Sequence, residues 1–302
     1  MPDASSPIHL VGEFPSYLIL EAGALALRRY GCTISLYTYL HNGSDILHRL
    51  VKKFTNSCFL AICLSCGASA FAETLNVAVA SNFVAAMQRI QQAFEGNSEH
   101  DIRLIRGSSG KHYAQISNGA PFDIFLSADQ QRPRRLVDEG IAEESDLATY
   151  AQGQLALWSR RNGLQLGREY LLNTDNYDVI AIANPRLAPY GQAATEVFRH
   201  LGLEPVVSHR LVMGENIAQA FQFVFSGNAD LGLVAYSQAM STNLRGKGSV
   251  WLVPSELHQP IKQDMVILSD STAAEEFAAF MESDTVREIL LTSGYLLPEG
   301  AP

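Results

Sequence analysis

The feature that most limits the fold of this chain is a regular alternation of short apolar segments and amphipathic helices after residue 74. Residues 75–80 are apolar and β-prone, and Phe83, Met87, Ile90 and Phe94 follow at spacings of four, three and four, which predicts a helix. Strands predicted at 102–105 and 123–126 alternate with helices predicted at 111–117 and 129–139. Such alternation indicates a mostly parallel sheet covered by helices, with ligands beyond the carboxyl ends of its strands.

A second series of the same kind begins at Leu155, and the first series returns near the end of the chain. Strands are predicted at 155–158, 179–183 and 231–234, with helices at 192–201 and 216–226. A strand at 265–268 and helices at 277–281 and 286–291 resemble the first series again. We therefore predict a two-lobed α/β protein in which each lobe is a mostly parallel sheet flanked by helices. Residues 73–153 and 265–302 are expected to form one lobe and residues 154–264 the other, with crossing strands near 153–156 and 263–266 as the hinge.

A secretory signal peptide is predicted at residues 51–72. Lys52 and Lys53 precede an apolar run that ends in the small-residue sequence Ala70-Phe71-Ala72, which favours cleavage after Ala72. The run has about a dozen residues, whereas a membrane-spanning helix needs about 20. The residues before Cys63 and Cys66 do not suit a lipid anchor, so we expect a soluble periplasmic product.

The residues upstream of the signal peptide are interpreted as an extension from a misassigned gene start. An export signal belongs at the beginning of a precursor, and Val51 would serve as the true start if its codon initiated translation. Residues 1–50 are therefore expected to be non-native.

The predicted mature segment is acidic and has no cysteine. Without residues 1–72 the chain keeps 17 basic and 27 acidic residues, a formal net charge of −10, which argues against nucleic acid or an anionic membrane as a partner. A disulfide, a reactive thiolate and a cysteine metal site are excluded in this segment, because all four cysteines precede Ala72: Cys32, Cys58, Cys63 and Cys66.

Hydroxyl residues follow the first two predicted strands, where helices are expected to begin. Ser81-Asn82 follows the first strand and Ser108-Ser109 follows the second, after Gly107. A helix N-terminus offers unpaired N–H groups and about half a positive charge, so it holds an anion without Lys or Arg. Simple helix capping by each serine is the alternative explanation. Asp123 and Asp129 are expected to shape the scaffold rather than to touch an anion.

At these positions the chain resembles the periplasmic molybdate-binding protein family. The most specific match is the run GAPFDIFLSAD at residues 119–129. Weaker matches lie in the same order as in the family, from the first strand to the second lobe, at residues 77–82, 107–109, 188–191 and 231–234. The resemblance therefore covers essentially the whole predicted mature segment.

This resemblance implies a type II periplasmic-binding-protein fold and a tetrahedral oxyanion, molybdate or tungstate, held between the lobes by neutral donors. It implies no cofactor, no direct protein ligand to the metal atom, an ABC-transporter permease as partner and a monomeric, non-enzymatic protein. The residues that it places around the oxyanion are Ser81, Asn82, Ser109, Tyr190 and the amide of Ile217, with Ser108 and Tyr236 as further candidates. The candidate Tyr236 departs from the pattern, since Ala235 takes the position where some members have a tyrosine.

Three other functions are alternatives for this sequence. A binding protein for sulfate, another small oxyanion or a small carboxylate would share the same architecture. A serine hydrolase could use Ser109 with His112, but His112 falls inside the predicted helix and the GxSxG motif is absent. A sensory domain of a regulator would share the fold, and the export signal argues against it. The histidines are scattered without metal-site spacing.

Overall fold

The computed structural model describes residues 72–241 and 246–298. The predicted extension, nearly all of the predicted signal peptide and the four cysteines lie outside these residues. No helix in the described part of the chain is long and apolar enough to cross a membrane.

Ten strands of the described residues form two five-stranded sheets. They are β1 (Thr74–Ala80), β2 (Asp101–Gly107), β3 (Ile124–Leu126), β4 (Leu147–Gly153), β5 (Leu155–Ser159), β6 (Ile180–Ala183), β7 (Leu211–Gly214), β8 (Leu231–Ala235), β9 (Ser249–Leu252) and β10 (Ile261–Ile267).

The α-helices of the same residues pack on the two sheets. They are α1 (Val84–Glu95), α2 (Ser109–Ser117), α3 (Gln131–Asp138), α4 (Arg168–Leu172), α5 (Pro189–His200), α6 (Glu204–Val207), α7 (Ile217–Ser226), α8 (Tyr236–Ala239), α9 (Thr272–Met281) and α10 (Asp284–Thr292).

The first sheet has the strand order β2-β1-β3-β10-β4 and forms the first lobe with its helices. Strands β2, β1 and β3 are parallel, whereas β10 runs antiparallel to both β3 and β4. The apolar stripe of α1 is buried against this sheet, because Met87, Ile90 and Phe94 recur on one helix face. The helix predicted from that spacing is therefore confirmed.

The second sheet has the order β7-β6-β8-β5-β9 and forms the second lobe. Strands β7, β6 and β8 are parallel, and β5 and β9 add antiparallel neighbours at one side. The predicted two-lobed α/β architecture is confirmed. Both sheets are mixed, since one strand in each, β10 or β5, runs opposite to the other four.

The chain passes from the first sheet to the second through one residue, Gln154, between β4 and β5. The return differs from the expectation of a crossing near 263–266. Strand β10 begins at Ile261 and pairs with β4 from Ile261↔Gly153 to Val266↔Leu147, so it lies wholly in the first sheet. The chain therefore returns from the second sheet to the first in residues 253–260, because Ile261 already pairs with Gly153, the last residue of β4.

Candidate functional site

The ends of β1 and β2 bring Ser81 next to the loop that follows Gly107. These strands are parallel and pair through Ala80↔Gly107, and the Ser81 N–H donates to the Gly107 carbonyl at 2.9 Å. Ser81, a candidate cap of the first helix, does not cap it. Residues 81–83 form a turn, and α1 begins at Val84 after Phe83 without a side-chain cap. The Phe83 N–H instead donates to the Ala80 carbonyl at 2.9 Å, which closes this turn.

Ser108 and Ser109 have separate roles at the start of α2. The Ser108 hydroxyl is the cap and accepts from the Lys111 N–H at 3.4 Å. Ser109 is the first helical residue, is buried, and its Oγ accepts from the Ala128 N–H at 2.9 Å. Because this bond uses a lone pair of the oxygen, the Ser109 hydroxyl proton remains free to donate to a ligand.

Two helices of the second lobe begin at the remaining candidate positions. Helix α5 starts at Pro189, earlier than the predicted start at residue 192, so Tyr190 lies in its first turn. The missing N–H of Pro189 suits the first position of a helix. Helix α7 starts at Ile217 after the cap Asn216, whose Oδ1 accepts from the N–H groups of Ala218 at 3.0 Å and Gln219 at 3.1 Å.

The two lobes meet at Ser81. The Ala218 N–H in the first turn of α7 also donates to Ser81 Oγ at 3.4 Å. This bond joins the turn after β1 to the helix start of the other lobe. The structure therefore brings Ser81 next to the start of α7, the helix that begins at Ile217.

Four backbone N–H groups at these helix and turn starts have no hydrogen-bond partner among the described residues. They belong to Asn82, Ser109, Tyr190 and Ile217. The first turn of a helix cannot satisfy its own N–H groups, so such donors are available to an anion. Together with the Ser81 and Ser109 hydroxyls they make a donor set that is drawn from both lobes and carries no formal charge.

The side chains of Asn82 and Tyr190 point into a buried hydrogen-bond network instead. Asn82 Nδ2 donates to Gln263 Oε1 at 3.0 Å and to the Tyr295 hydroxyl at 3.2 Å. Gln263 Nε2 donates to the Tyr190 hydroxyl at 3.3 Å, and the Tyr150 hydroxyl donates to Gln263 Oε1 at 2.9 Å. We call Asn82, Tyr150, Tyr190, Gln263 and Tyr295 the hinge network. The name reflects the positions of Tyr150 on β4 and Gln263 on β10, the strands next to the crossings between the sheets.

The hinge network also fixes the turn that carries the candidate donors. The Tyr295 hydroxyl donates to the Asn82 carbonyl at 2.8 Å, and Gly153 lies so close to Tyr190 that a Cβ there would overlap its hydroxyl. Burial raises the pKa of Tyr150 and Tyr190 well above the ordinary value, and a nearby tyrosine adds to the effect. Burial likewise raises the pKa of Tyr295. All three phenols are therefore neutral at physiological pH.

Tyr236 lies apart from the donor set. Its N–H donates to the Gln154 carbonyl at 2.8 Å, and its ring packs against Gly294 in the first lobe. No hydrogen bond in the described part of the structure joins it to Ser81 or Ser109. Its neighbour Ser237 approaches the site more closely, because its hydroxyl lies 3.4 Å from the Asn82 carbonyl.

The remaining polar residues near the first lobe's strand ends have structural roles. Asp123 accepts from the Asn76 N–H at 2.7 Å, and Asp129 pairs with Arg132. His112 is buried, with Nε2 3.2 Å from the Val79 carbonyl and Nδ1 3.3 Å from Gln115 Oε1, so neither ring nitrogen is directed at Ser109. Within residues 72–241 and 246–298 no three His, Cys, Asp or Glu side chains are placed to hold a metal ion.

Sequence reasoning did not identify Tyr150, Gln263, Tyr295 or Ser237 as neighbours of the site. Their bonds to Asn82 and to one another span 58 to 213 positions of the chain. No local motif signals such contacts.

The chain is similar to several known proteins. The model of the family described as bacterial extracellular solute-binding protein matches residues 75–296. The molybdate-binding protein ModA of Azotobacter vinelandii is 42% identical over 235 residues, which cover 77% of this chain and 92% of that protein. ModA of Rhodobacter capsulatus is 39% identical over 240 residues, covering 78% and 94%. The solved periplasmic molybdate-binding protein of A. vinelandii superposes with a TM-score of 0.71 at 37% identity, covering 74% of this chain and 100% of that one.

Proposed function

The chain belongs to the bacterial extracellular solute-binding protein family, and we propose that it captures molybdate between its lobes and delivers it to an ABC-transporter permease. It is a periplasmic transport component and not an enzyme. Molybdate is its cargo rather than a cofactor. The observation that carries the proposal is the set of unpartnered, uncharged donors contributed by both lobes.

The donor set suits a tetrahedral dianion. We assign the oxyanion to the hydroxyls of Ser81 and Ser109 and to the N–H groups of Asn82, Ser109, Tyr190 and Ile217. Four of these six donors sit at helix starts, where the helix dipole also favours negative charge. The acidic surface does not oppose this, because charges farther than about 10 Å are screened at ordinary salt concentrations.

Neutral donors also select the protonation state of the ligand. A fully deprotonated oxyanion accepts at every oxygen, whereas hydrogen phosphate carries a proton that would need an acceptor. Sulfate meets the same requirement as molybdate and is the chief alternative ligand, to be distinguished by its smaller size. Tungstate has the same charge and tetrahedral shape as molybdate, so we expect it to bind as well.

The test is calorimetric titration of residues 73–302 with molybdate, tungstate, sulfate and phosphate. We expect one-to-one binding of molybdate and tungstate, weaker binding of sulfate and none of phosphate. Preference for sulfate would assign the protein to sulfate transport, and no heat with any of the four would exclude an oxyanion carrier.

Export, processing and assembly complete the proposal. We propose cleavage after Ala72, a monomeric product without a lipid anchor, and recognition of the closed form by the permease. The lobes would divide at Gln154 and in residues 253–260, since β10 belongs to the first sheet. Mass spectrometry of a periplasmic fraction should give a chain that begins at Glu73, and a lipidated Cys66 would refute this part.

A further inference from the structure

The first turn of α2 contacts a second-lobe loop beside the proposed oxyanion site. The Gly110 N–H donates to the Leu187 carbonyl at 2.9 Å. Leu187 lies in the loop between β6 and α5, which we call the β6–α5 loop and define as residues 184–188. This loop leads directly to Tyr190, whose N–H belongs to the donor set.

A second bond fixes the same loop from the same side. Arg132 Nη2 donates to the Arg186 carbonyl at 3.1 Å, and Asp129 holds the guanidinium through an ion pair with Nη1. Asn184 keeps the loop compact, since its Oδ1 accepts from the Arg186 N–H at 3.0 Å. The loop is therefore bound to the first lobe through two backbone carbonyls.

Lys111, the residue after Gly110 in α2, contacts the segment just before helix α7 of the second lobe. Lys111 Nζ lies 3.1 Å from Glu215 Oε1, and Glu215 immediately precedes Asn216, the cap of α7. Three successive residues, Ser109, Gly110 and Lys111, thus face the ligand, the β6–α5 loop and the start of α7. Both side chains of the ion pair are well exposed, so the pair itself contributes little.

We propose that Gly110 is a positioning residue that holds the two lobes closed over the oxyanion and sets how long the ligand stays bound. The inference rests on the proposed function and deepens it. Gly110 makes no contact with the ligand itself. It acts through the Leu187 carbonyl, which places the Tyr190 N–H.

The close approach explains why this position is glycine. A Cβ at Gly110 would lie 3.0 Å from the Leu187 oxygen, 3.1 Å from Leu187 Cα and 3.2 Å from Arg132 Nη2. Two of these atoms are backbone of the other lobe, so relief requires the lobes to separate by a few tenths of an ångström. Helix α2 itself gains from alanine, because glycine is the poorer helix former. A methyl group at this position should therefore destabilise the closed state, in which it crowds Leu187, and stabilise helix α2 in the open state.

The experiment compares Gly110→Ala with wild type and with Gly167→Ala in residues 73–302. Gly167 is a matched control, since a Cβ there meets no atom within 4 Å. Overpacking of a tight contact should raise the dissociation constant of molybdate about tenfold, mainly through faster dissociation. The melting temperature without ligand should be unchanged or higher, and Gly167→Ala should bind as wild type does.

The outcomes separate this inference from the proposed function. If wild type binds molybdate and Gly110→Ala has the same dissociation rate, the positioning role is refuted while the function stands. A lower melting temperature of ligand-free Gly110→Ala would also refute it, because Gly110 would then serve the first lobe alone. If wild type binds no oxyanion, the proposed function fails and the inference fails with it.

Discussion

We assign two hydrogen-bonding tasks to Ser109, because its oxygen accepts from the Ala128 N–H while its proton is free for the proposed oxyanion. Ser109→Ala should weaken molybdate binding by about ten- to a hundredfold, the value of one hydrogen bond to a charged ligand. It should also lower the free energy of unfolding by about 1 to 3 kcal/mol, since the buried Ala128 N–H loses its partner. Titration calorimetry and denaturant unfolding measure the two effects.

The matched control is Ser108→Ala one position earlier. Ser108 caps α2 through the Lys111 N–H, so its loss should cost about 1 kcal/mol of stability with little change in affinity. Equal losses of affinity in both variants would remove the distinction between cap and ligand donor.

In the proposed site Tyr190 contributes its N–H rather than its hydroxyl, because the hydroxyl lies in the hinge network. Tyr190→Phe keeps the N–H but leaves Gln263 Nε2 with one acceptor fewer in a buried site. We therefore expect a loss of stability of about 1 to 3 kcal/mol and a smaller loss of affinity than for Ser109→Ala. A loss of affinity as large as that of Ser109→Ala would place the hydroxyl on the ligand.

His112 makes the stability of the first lobe depend on pH. Burial lowers the pKa of His112 below its ordinary value of 6.5, and the nearby Lys111 adds to this effect. The unfolded chain then binds the proton more readily, so stability must fall as the pH decreases through 6.5 towards the folded-state pKa. The melting temperature should decline between pH 7 and 5, and His112→Gln should flatten that decline. The same replacement at the exposed His209 should leave the decline in place; an equally steep decline in His112→Gln would exclude His112 as its cause.

Residue roles were only partly readable from the sequence. Serines after strands indicated that Ser81 and the Ser108-Ser109 pair follow neighbouring strand ends, because parallel strands end at one edge of a sheet. Which of Ser108 and Ser109 caps α2 depends on one helical position, and helix starts are uncertain by one or two residues. The partners Gln263 and Tyr295 could not be predicted, since they reach Asn82 across 181 and 213 positions.

At the scale of elements, most of the proposed donors lie at helix starts. The contribution of the α7 start can be tested by removing its cap. Asn216→Ala removes the acceptor of the Ala218 and Gln219 N–H groups. It should lower the stability by about 1 kcal/mol and weaken molybdate binding, because the turn that presents the Ile217 N–H loosens.

Helix α9 provides the control for this prediction. It has ten residues like α7, and its cap Ser271 accepts from the Ala274 N–H at 3.1 Å in the first lobe. Ser271→Ala should lower the stability by a similar amount with unchanged affinity. A loss of affinity in both variants would show that general destabilisation, and not the α7 start, weakens binding.

The elements themselves follow from hydrophobic periodicity where one face is buried. The stripe of α1 and the apolar β1 are unambiguous because the core imposes their patterns. Strand β10 was expected to start later, since Lys262 and Gln263 interrupt its apolar run. Its first residues are fixed by pairing with Gly153 and Gln152, and hydrophobic periodicity cannot predict such pairing.

At the scale of the whole molecule, the proposed ligand site is complete only when the two lobes are together. In this proposal the first lobe provides Ser81, Asn82 and Ser109, and the second provides Tyr190 and Ile217. Because neither set is complete alone, the oxyanion must bind the closed form far better than an open one and shift the population towards it. Gln154 and residues 253–260 are the connections that would absorb the change of backbone angle.

The most direct test of this account is a crystal structure of residues 73–302 with molybdate, in which anomalous scattering locates the metal atom. We predict one strong peak between the two lobes, with oxyanion oxygens about 2.7 to 3.2 Å from the Ser81 and Ser109 hydroxyls and from the N–H groups of Tyr190 and Ile217. A peak bound by one lobe alone, or coordinated directly by a protein side chain, would contradict the clamp of neutral donors.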